Sequence, residues 1–229
     1  MSLPLIMIAT TLVAFTLGGL TTWPLIRQLQ HRLTDAIWQL EHDPLTGLLN
    51  RAGLLTAHTT LTTADDAGPI MAVLIDLDDF KPVNDTHGHD RGNDVLAQIG
   101  ERIHDIATLH GGIAARLSGD EYAALLPVRT TDPARIGEIF VTLISQPVQL
   151  GADREPVTVT ASVGLALVEA TDPLQEVALR RADIAMYHAK HHGRNRHCSY
   201  EPGMAMPAAE HHRGPRLRDR GQLNSKATA

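Results

Sequence analysis

Cysteine and aromatic side chains are nearly missing from this chain of 229 residues. One cysteine, Cys198, leaves no internal disulfide to form and fits a reducing compartment. With aromatics at 3%, the stacking platforms that hold single-stranded nucleic acid are excluded. Positive charge is not in surplus either: 20 Lys and Arg stand against 26 Asp and Glu, a formal net charge of −6. That balance excludes a broad DNA- or RNA-binding surface and leaves room only for a local basic pocket. No GxxxxGK[ST] stretch occurs, which excludes a P-loop.

Charge of either sign is absent from one long run, Leu3–Ile26 (LPLIMIATTLVAFTLGGLTTWPLI). Roughly 24 residues at about 1.5 Å each reach about 36 Å, enough to span a bilayer. A cleaved signal peptide is the competing reading, but no basic segment precedes the run. Arg27 and Arg32 follow it, so the positive-inside rule places the N-terminus outside and the rest in the cytoplasm. The expected address is the inner (cytoplasmic) membrane, with a single pass.

What is present is enough apolar residue, 43%, for one core-forming domain. The expected organisation is an anchor over 1–26, a juxtamembrane helix over 27–42, one domain over 43–200 and a disordered polar tail over 201–229. In the juxtamembrane segment Ile26, Leu29, Leu33, Ala36 and Leu40 recur at 3.5-residue spacing, the seam of a two-stranded coiled coil. A linker helix lying on its own domain is the alternative. Within the domain, the pattern predicts helices over 49–62, 92–109, 134–145 and 174–192. It predicts strands at IMAVLIDLDDF, IAARL, YAALLP and VTVTASVGLALV. The fold class expected is α+β, a mixed central sheet surrounded by helices.

The acids carry the chemistry. LIDLDDF places Asp76, Asp78 and Asp79 at a strand end, and period-two alternation points Asp76 and Asp78 to one side. RLSGDEY sets Asp120 and Glu121 in the turn of a hairpin. Adjacent carboxylates repel, and a divalent cation relieves them. Two acidic clusters converging from neighbouring strands suit Mg²⁺ or Mn²⁺ and phosphoryl chemistry. Lys81 follows the first cluster, while Lys190 and Arg194 share a helical face ended by Gly193. His188, His191 and His192 have a spacing that zinc could use, but a solvated face is the stronger reading.

DPLTGLLNR (43–51), DLDDFKPVNDTHGHDRGN (76–93), RLSGDEY (116–122), ASVGLA (161–166) and ADIAMYHAKHHGRN (182–195) occur in order. Together they resemble the GGDEF-domain family, the diguanylate cyclases. The resemblance implies a nucleotide-cyclase, palm-like fold and a homodimer that joins two GTP into cyclic di-GMP with loss of two pyrophosphates. By position, Asp76, the Leu77 carbonyl, Asp120 and Glu121 match ligands for two Mg²⁺ or Mn²⁺ per site. Asp120 and Glu121 also match the catalytic acids, and Lys81 the lysine that stabilises the transition state. Phe80, Asn84, His89, Asn93, Ser118, Gly119, Lys190 and Arg194 fall at substrate-binding positions. Within these, Asn84, His89 and Asn93 match base or ribose contacts, and Lys190 and Arg194 match phosphate contacts.

Three departures stand out. Ser118 replaces the first glycine of the signature, and its Cβ and hydroxyl intrude where phosphate should approach. Asn93 replaces the usual aspartate and offers one acceptor where guanine presents two donors. The RxxD product-inhibition tetrapeptide reads Leu109, His110, Gly111, Gly112 here, so cyclic di-GMP is not expected to inhibit through that route. Ser118 and Asn93 weaken the expected turnover. They keep open a degenerate member that binds nucleotide or protein as a regulator.

Overall fold

The computed structural model describes residues 3–63, 68–128, 132–150 and 155–206, and in the first helix the side chains of 3, 5, 6, 8–21 and 25 lie outside the described set. Five strands form one sheet in the order β2-β3-β1-β4-β5. They are β1 (Ile70–Leu77), β2 (Ile113–Ser118), β3 (Glu121–Pro127), β4 (Ala161–Val168) and β5 (Arg196–Ser199). β1 lies antiparallel between β3 and β4, and β5 joins β4 in parallel, so the sheet is mixed as expected.

The central position of β1 explains its unbroken apolar run. Met71, Val73, Ile75 and Leu77 feed one core, with Val95, Ile99 and Ile103 of α4 (His89–Leu109) and Phe140 of α5 (Pro133–Ile144). Ile70, Ala72 and Leu74 feed the opposite face, with Leu54 of α2 (Arg51–Thr62) and Met186 of α6 (Arg180–His191). A strand covered on both faces does not alternate with polar residues. The buried Tyr122 hydroxyl donates to the Leu96 carbonyl at 2.8 Å, which supplies the partner that a phenol in a core requires.

α1 runs from Leu3 to Glu41 and is joined firmly to the domain. Asn50 caps α2 by accepting from Ala52 and Gly53, and its amide donates to the carbonyls of Leu40 and His42. Beyond this joint, Trp23, Ile26, Leu29, Leu33, Ile37 and Leu40 remain exposed along the helix. Among the described residues, α1 thus presents these apolar side chains to solvent.

Several expectations change. α3 (Phe80–His87) and β5 were not anticipated, and α4 begins at His89, earlier than Gly92. The strand expected over 157–168 is formed only from Ala161, and Val157 makes a lone bridge to Val148. The last helix opens as a π-helical turn over Leu174–Leu179, with the Ala178 amide reaching back to the Pro173 carbonyl at 3.2 Å. Among the described residues, no helix is long and apolar enough to cross a membrane. The expected anchor falls mostly on residues whose side chains lie outside the described set, and most of the expected disordered tail, 207–229, lies outside the described residues.

Candidate active site

The strand register delivers the two acidic clusters to one place. Asp76 of β1 sits directly opposite Glu121 of β3, and the Leu77 amide donates to the Asp120 carbonyl at 3.1 Å. The turn between β2 and β3 is tight. Gly119 has φ +48°, a left-handed value that glycine takes without strain, and the register shifts between Arg116 and Ser118. Arg116 clamps this turn by donating to the Gly119 carbonyl at 2.7 and 2.9 Å and to Asp43 at 2.9 Å. Burial pushes the Asp43 carboxyl up, but hydrogen bonds from Arg116 and Thr46 outweigh it and leave the group below its ordinary value.

Asp76 is the electrostatic centre. Its carboxyl ionises at about 6: burial raises it, the Lys190 ammonium at 2.9 Å pulls it back, and Asp120 and Glu121 push it up again. Arg194 lies 3.8 Å from Asp79 on the same side. Lys190 thus pairs with Asp76 and Arg194 with Asp79, but the two do not share a helical face, because α6 ends at His191 and Arg194 lies beyond it. The α6 C-terminus achieves this with a Schellman turn, in which Gly193 is left-handed and the Arg194 amide reaches the Ala189 carbonyl at 3.2 Å.

The remaining expected residues are distributed as follows. Lys81 and Asn84 lie one turn apart on α3; His89 and Asn93 are exposed on the first turns of α4. Gly92 is buried, and a Cβ there would collide with the Asn84 side-chain oxygen, so the amide owes its place to this glycine. The Phe80 side chain is buried in the core, which corrects a side-chain role in substrate binding and leaves only its backbone available. The Leu77 side chain is buried too, consistent with a carbonyl role alone.

Asp78 does not join Asp76. β1 ends at Leu77, so the two-residue alternation does not carry to Asp78. Its carboxylate instead accepts from Thr160 at 2.8 Å, Ser162 at 2.7 Å and the Asn195 amide at 2.9 Å. The Ser118 hydroxyl donates to Glu121 at 2.9 Å, a bond that a glycine could not make. Serine three residues before an acid in a turn was the available signal for it. Within the histidine group, His191 and His192 reach the carbonyls of Tyr187 and His188 on their own helix, while the His188 Nε2 is buried with no hydrogen-bond partner among the described residues.

These donors suit a hard divalent cation. Burial raises Asp76 and the nearby Asp120 and Glu121 add to it, so a positive charge beside these carboxylates is favourable, and Lys190 already supplies one. Among the described residues no three His, Cys, Asp or Glu side chains already converge on one point, so the Leu77 carbonyl would complete the set.

Residues 40–196 match the family described as "Diguanylate cyclase, GGDEF domain". The chain is 39% identical over 173 residues to the bifunctional diguanylate cyclase/cyclic di-GMP phosphodiesterase MucR of Pseudomonas aeruginosa, covering 74% of this chain and 25% of that protein. It is 35% identical over 181 residues to the diguanylate cyclase DgcN of Escherichia coli, covering 76% and 42%. The chain thus spans well under half of these relatives. Among solved structures, the GGDEF domain of TpbB from Pseudomonas aeruginosa aligns with a TM-score of 0.62 at 33% identity, over 70% of this chain and 94% of that one. The coiled coil and GGDEF domain of DgcB from Caulobacter crescentus, in complex with c-di-GMP, aligns with a TM-score of 0.70 over 81% and 99%. At 23% identity the latter likeness concerns the fold.

Proposed function

The chain belongs to the GGDEF family of diguanylate cyclases, and on that premise we propose that it condenses two GTP into cyclic di-GMP and two pyrophosphates. One observation carries the reading: Asp76 faces Glu121 across paired strands, at the sheet end where Lys190 and Arg194 stand. Each 3′-hydroxyl attacks the α-phosphate of the GTP held by a second copy of the chain. The new P–O bond forms as the bond to pyrophosphate breaks, and Asp120 takes the hydroxyl proton. Asp76, the Leu77 carbonyl, Asp120 and Glu121 would hold Mg²⁺ or Mn²⁺, two per site, which would supply positive charge to the phosphates.

Lys190 and Arg194 bind the triphosphate, and Lys81 meets the charge that grows on the leaving group. Asn84, His89 and Asn93 hold base and ribose. Two sites must meet, so we assign homodimerisation to α1, whose exposed Ile26, Leu29, Leu33 and Leu40 form a ready seam. The uncharged run Leu3–Ile26 followed by Arg27 and Arg32 supports a single-pass anchor in the cytoplasmic membrane with the domain inside. Leu109 to Gly112 provide neither arginine nor aspartate for product inhibition.

A regulator that binds nucleotide without turnover is the second reading, favoured by the Ser118 hydroxyl bound to Glu121. Mass spectrometry of products decides between them. The full chain in detergent, given GTP, ATP or both with Mg²⁺, is expected to yield cyclic di-GMP, and Asp120→Ala/Glu121→Ala to yield none. Nucleotide binding by a dimer that forms no dinucleotide would establish the regulator.

A further inference from the structure

Among the described residues, only three that are not glycine adopt a left-handed backbone: Asp79 at φ +49°, Arg194 at +55° and Asn195 at +46°. All three belong to one neighbourhood. Asp79 precedes α3, and Arg194 and Asn195 follow the α6 Schellman turn. Asp and Asn visit this region readily, but arginine holds it only where its surroundings impose it. The buried Asp78 carboxylate lies between the two segments. It is bonded to Asp79 through the chain and accepts the Asn195 amide on one oxygen. Thr160 and Ser162 donate to the same carboxylate from the start of β4, and the Asp78 amide donates back to the Thr160 carbonyl at 2.8 Å. The carboxylate is thereby fixed to the sheet and holds the Asn195 amide directly, just before β5 begins at Arg196.

We propose that Asp78 is a positioning residue for triphosphate binding, acting through the Asn195 amide on the backbone of Arg194. This rests on the reading of Arg194 as a phosphate contact. Without that bond, Arg194 and Asn195 relax toward right-handed backbone and the guanidinium leaves the acid side of the sheet. An amide in place of the carboxylate has one acceptor for three donors, and its NH₂ group would face a donor. An asparagine can still keep its oxygen on the Thr160 hydroxyl and Asn195 amide and turn its NH₂ to the Ser162 hydroxyl, which can rotate to accept, whereas Asp78→Ala removes every acceptor.

The test is a double-mutant cycle in the full chain. Asp78→Ala is expected to raise the KM for GTP about tenfold while kcat falls much less. Arg194→Ala should do the same, and the two together should be no worse than Arg194→Ala alone. Ser162→Ala, which removes an equally buried bond to the same carboxylate but leaves the Asn195 amide held, should lower Tm and leave KM unchanged. Hydrogen exchange at the 194 and 195 amides, measured without nucleotide, should quicken in Asp78→Ala. Asp78→Glu, which keeps both acceptors but moves them by one methylene, serves in the same cycle should Asp78→Ala not fold. Multiplicative losses in the double variant, or unchanged exchange at 194–195, would overturn the proposal. A wild type that makes no cyclic di-GMP would overturn the cyclase reading instead and leave the exchange measurement to decide this one.

Discussion

Asp76→Asn should make the protein more stable while abolishing its activity, and the size of the gain should depend on pH. The ordinary aspartate value is 3.8 and Asp76 ionises at about 6 in the fold, so folding favours the protonated form. The stability that this proton supplies is fully present below pH 3.8 and is lost as pH rises to about 6. The loss levels off at about 3 kcal/mol above pH 6. An asparagine side chain cannot ionise and retains that stability at every pH. The variant should melt about 6–12 °C above wild type at pH 7.5, and only about 2–4 °C above it at pH 4.5. Far-UV circular dichroism in EDTA is the assay. Mg²⁺ should then raise the wild type and leave the variant where it was, because only the charged carboxylate is a good ligand. Equal gains at pH 4.5 and 7.5, or no gain at 7.5, would refute the assignment of a buried, crowded charge at this position.

Ser118→Gly frees Glu121 from a hydroxyl that competes with a cation, a bond of about 1 kcal/mol. The Mg²⁺ concentration for half-maximal activity should fall about fivefold, read from rates across a Mg²⁺ series. Gly92→Ala drives a methyl into the Asn84 amide and should raise the KM for GTP about fivefold or more, with helix content unchanged. Asp43→Asn removes the partner of Arg116, whose side chain is only 10% exposed. Asp43 is held below its ordinary value, so its contribution is present above pH 3.8 and lost as pH falls further. The variant should lose about 1–3 kcal/mol in urea titrations at pH 7, and the loss should shrink as pH falls below 3.8.

The parts of the fold that could be read in advance were those in which one face repeats. Val95, Ile99 and Ile103 announce α4, and the apolar run at 70–77 announces a strand covered on both sides. α3 escaped because Pro82 looks like a breaker, although proline is tolerated in a first helical turn. β5 escaped because RHCS has no apolar alternation and its partner strand is far away in sequence. At the site, the identities of Asp76, Asp120, Glu121, Lys190 and Arg194 were legible, but their pairings were not. The Lys190–Asp76 contact joins residues on α6 and β1, which only the packed sheet brings together. Asp78 was assigned to the metal-facing side because its number has the right parity, and the chain leaves the strand one residue too soon for parity to apply. Ser118 was legible as a departure from glycine, whereas its acceptor, Glu121, depended on the turn's conformation.

The chain has two tryptophans, Trp23 and Trp38, and both ride on the exposed part of α1, Trp38 stacked on His42 at 4.7 Å. The domain itself contains none. Excitation at 295 nm therefore illuminates the helix and leaves the nucleotide site dark. Association along α1 should shift the emission to the blue, and GTP entering a preformed dimer should leave the spectrum unchanged. Assembly and substrate binding can thus be followed as separate signals in one cuvette, with no dye and no added label.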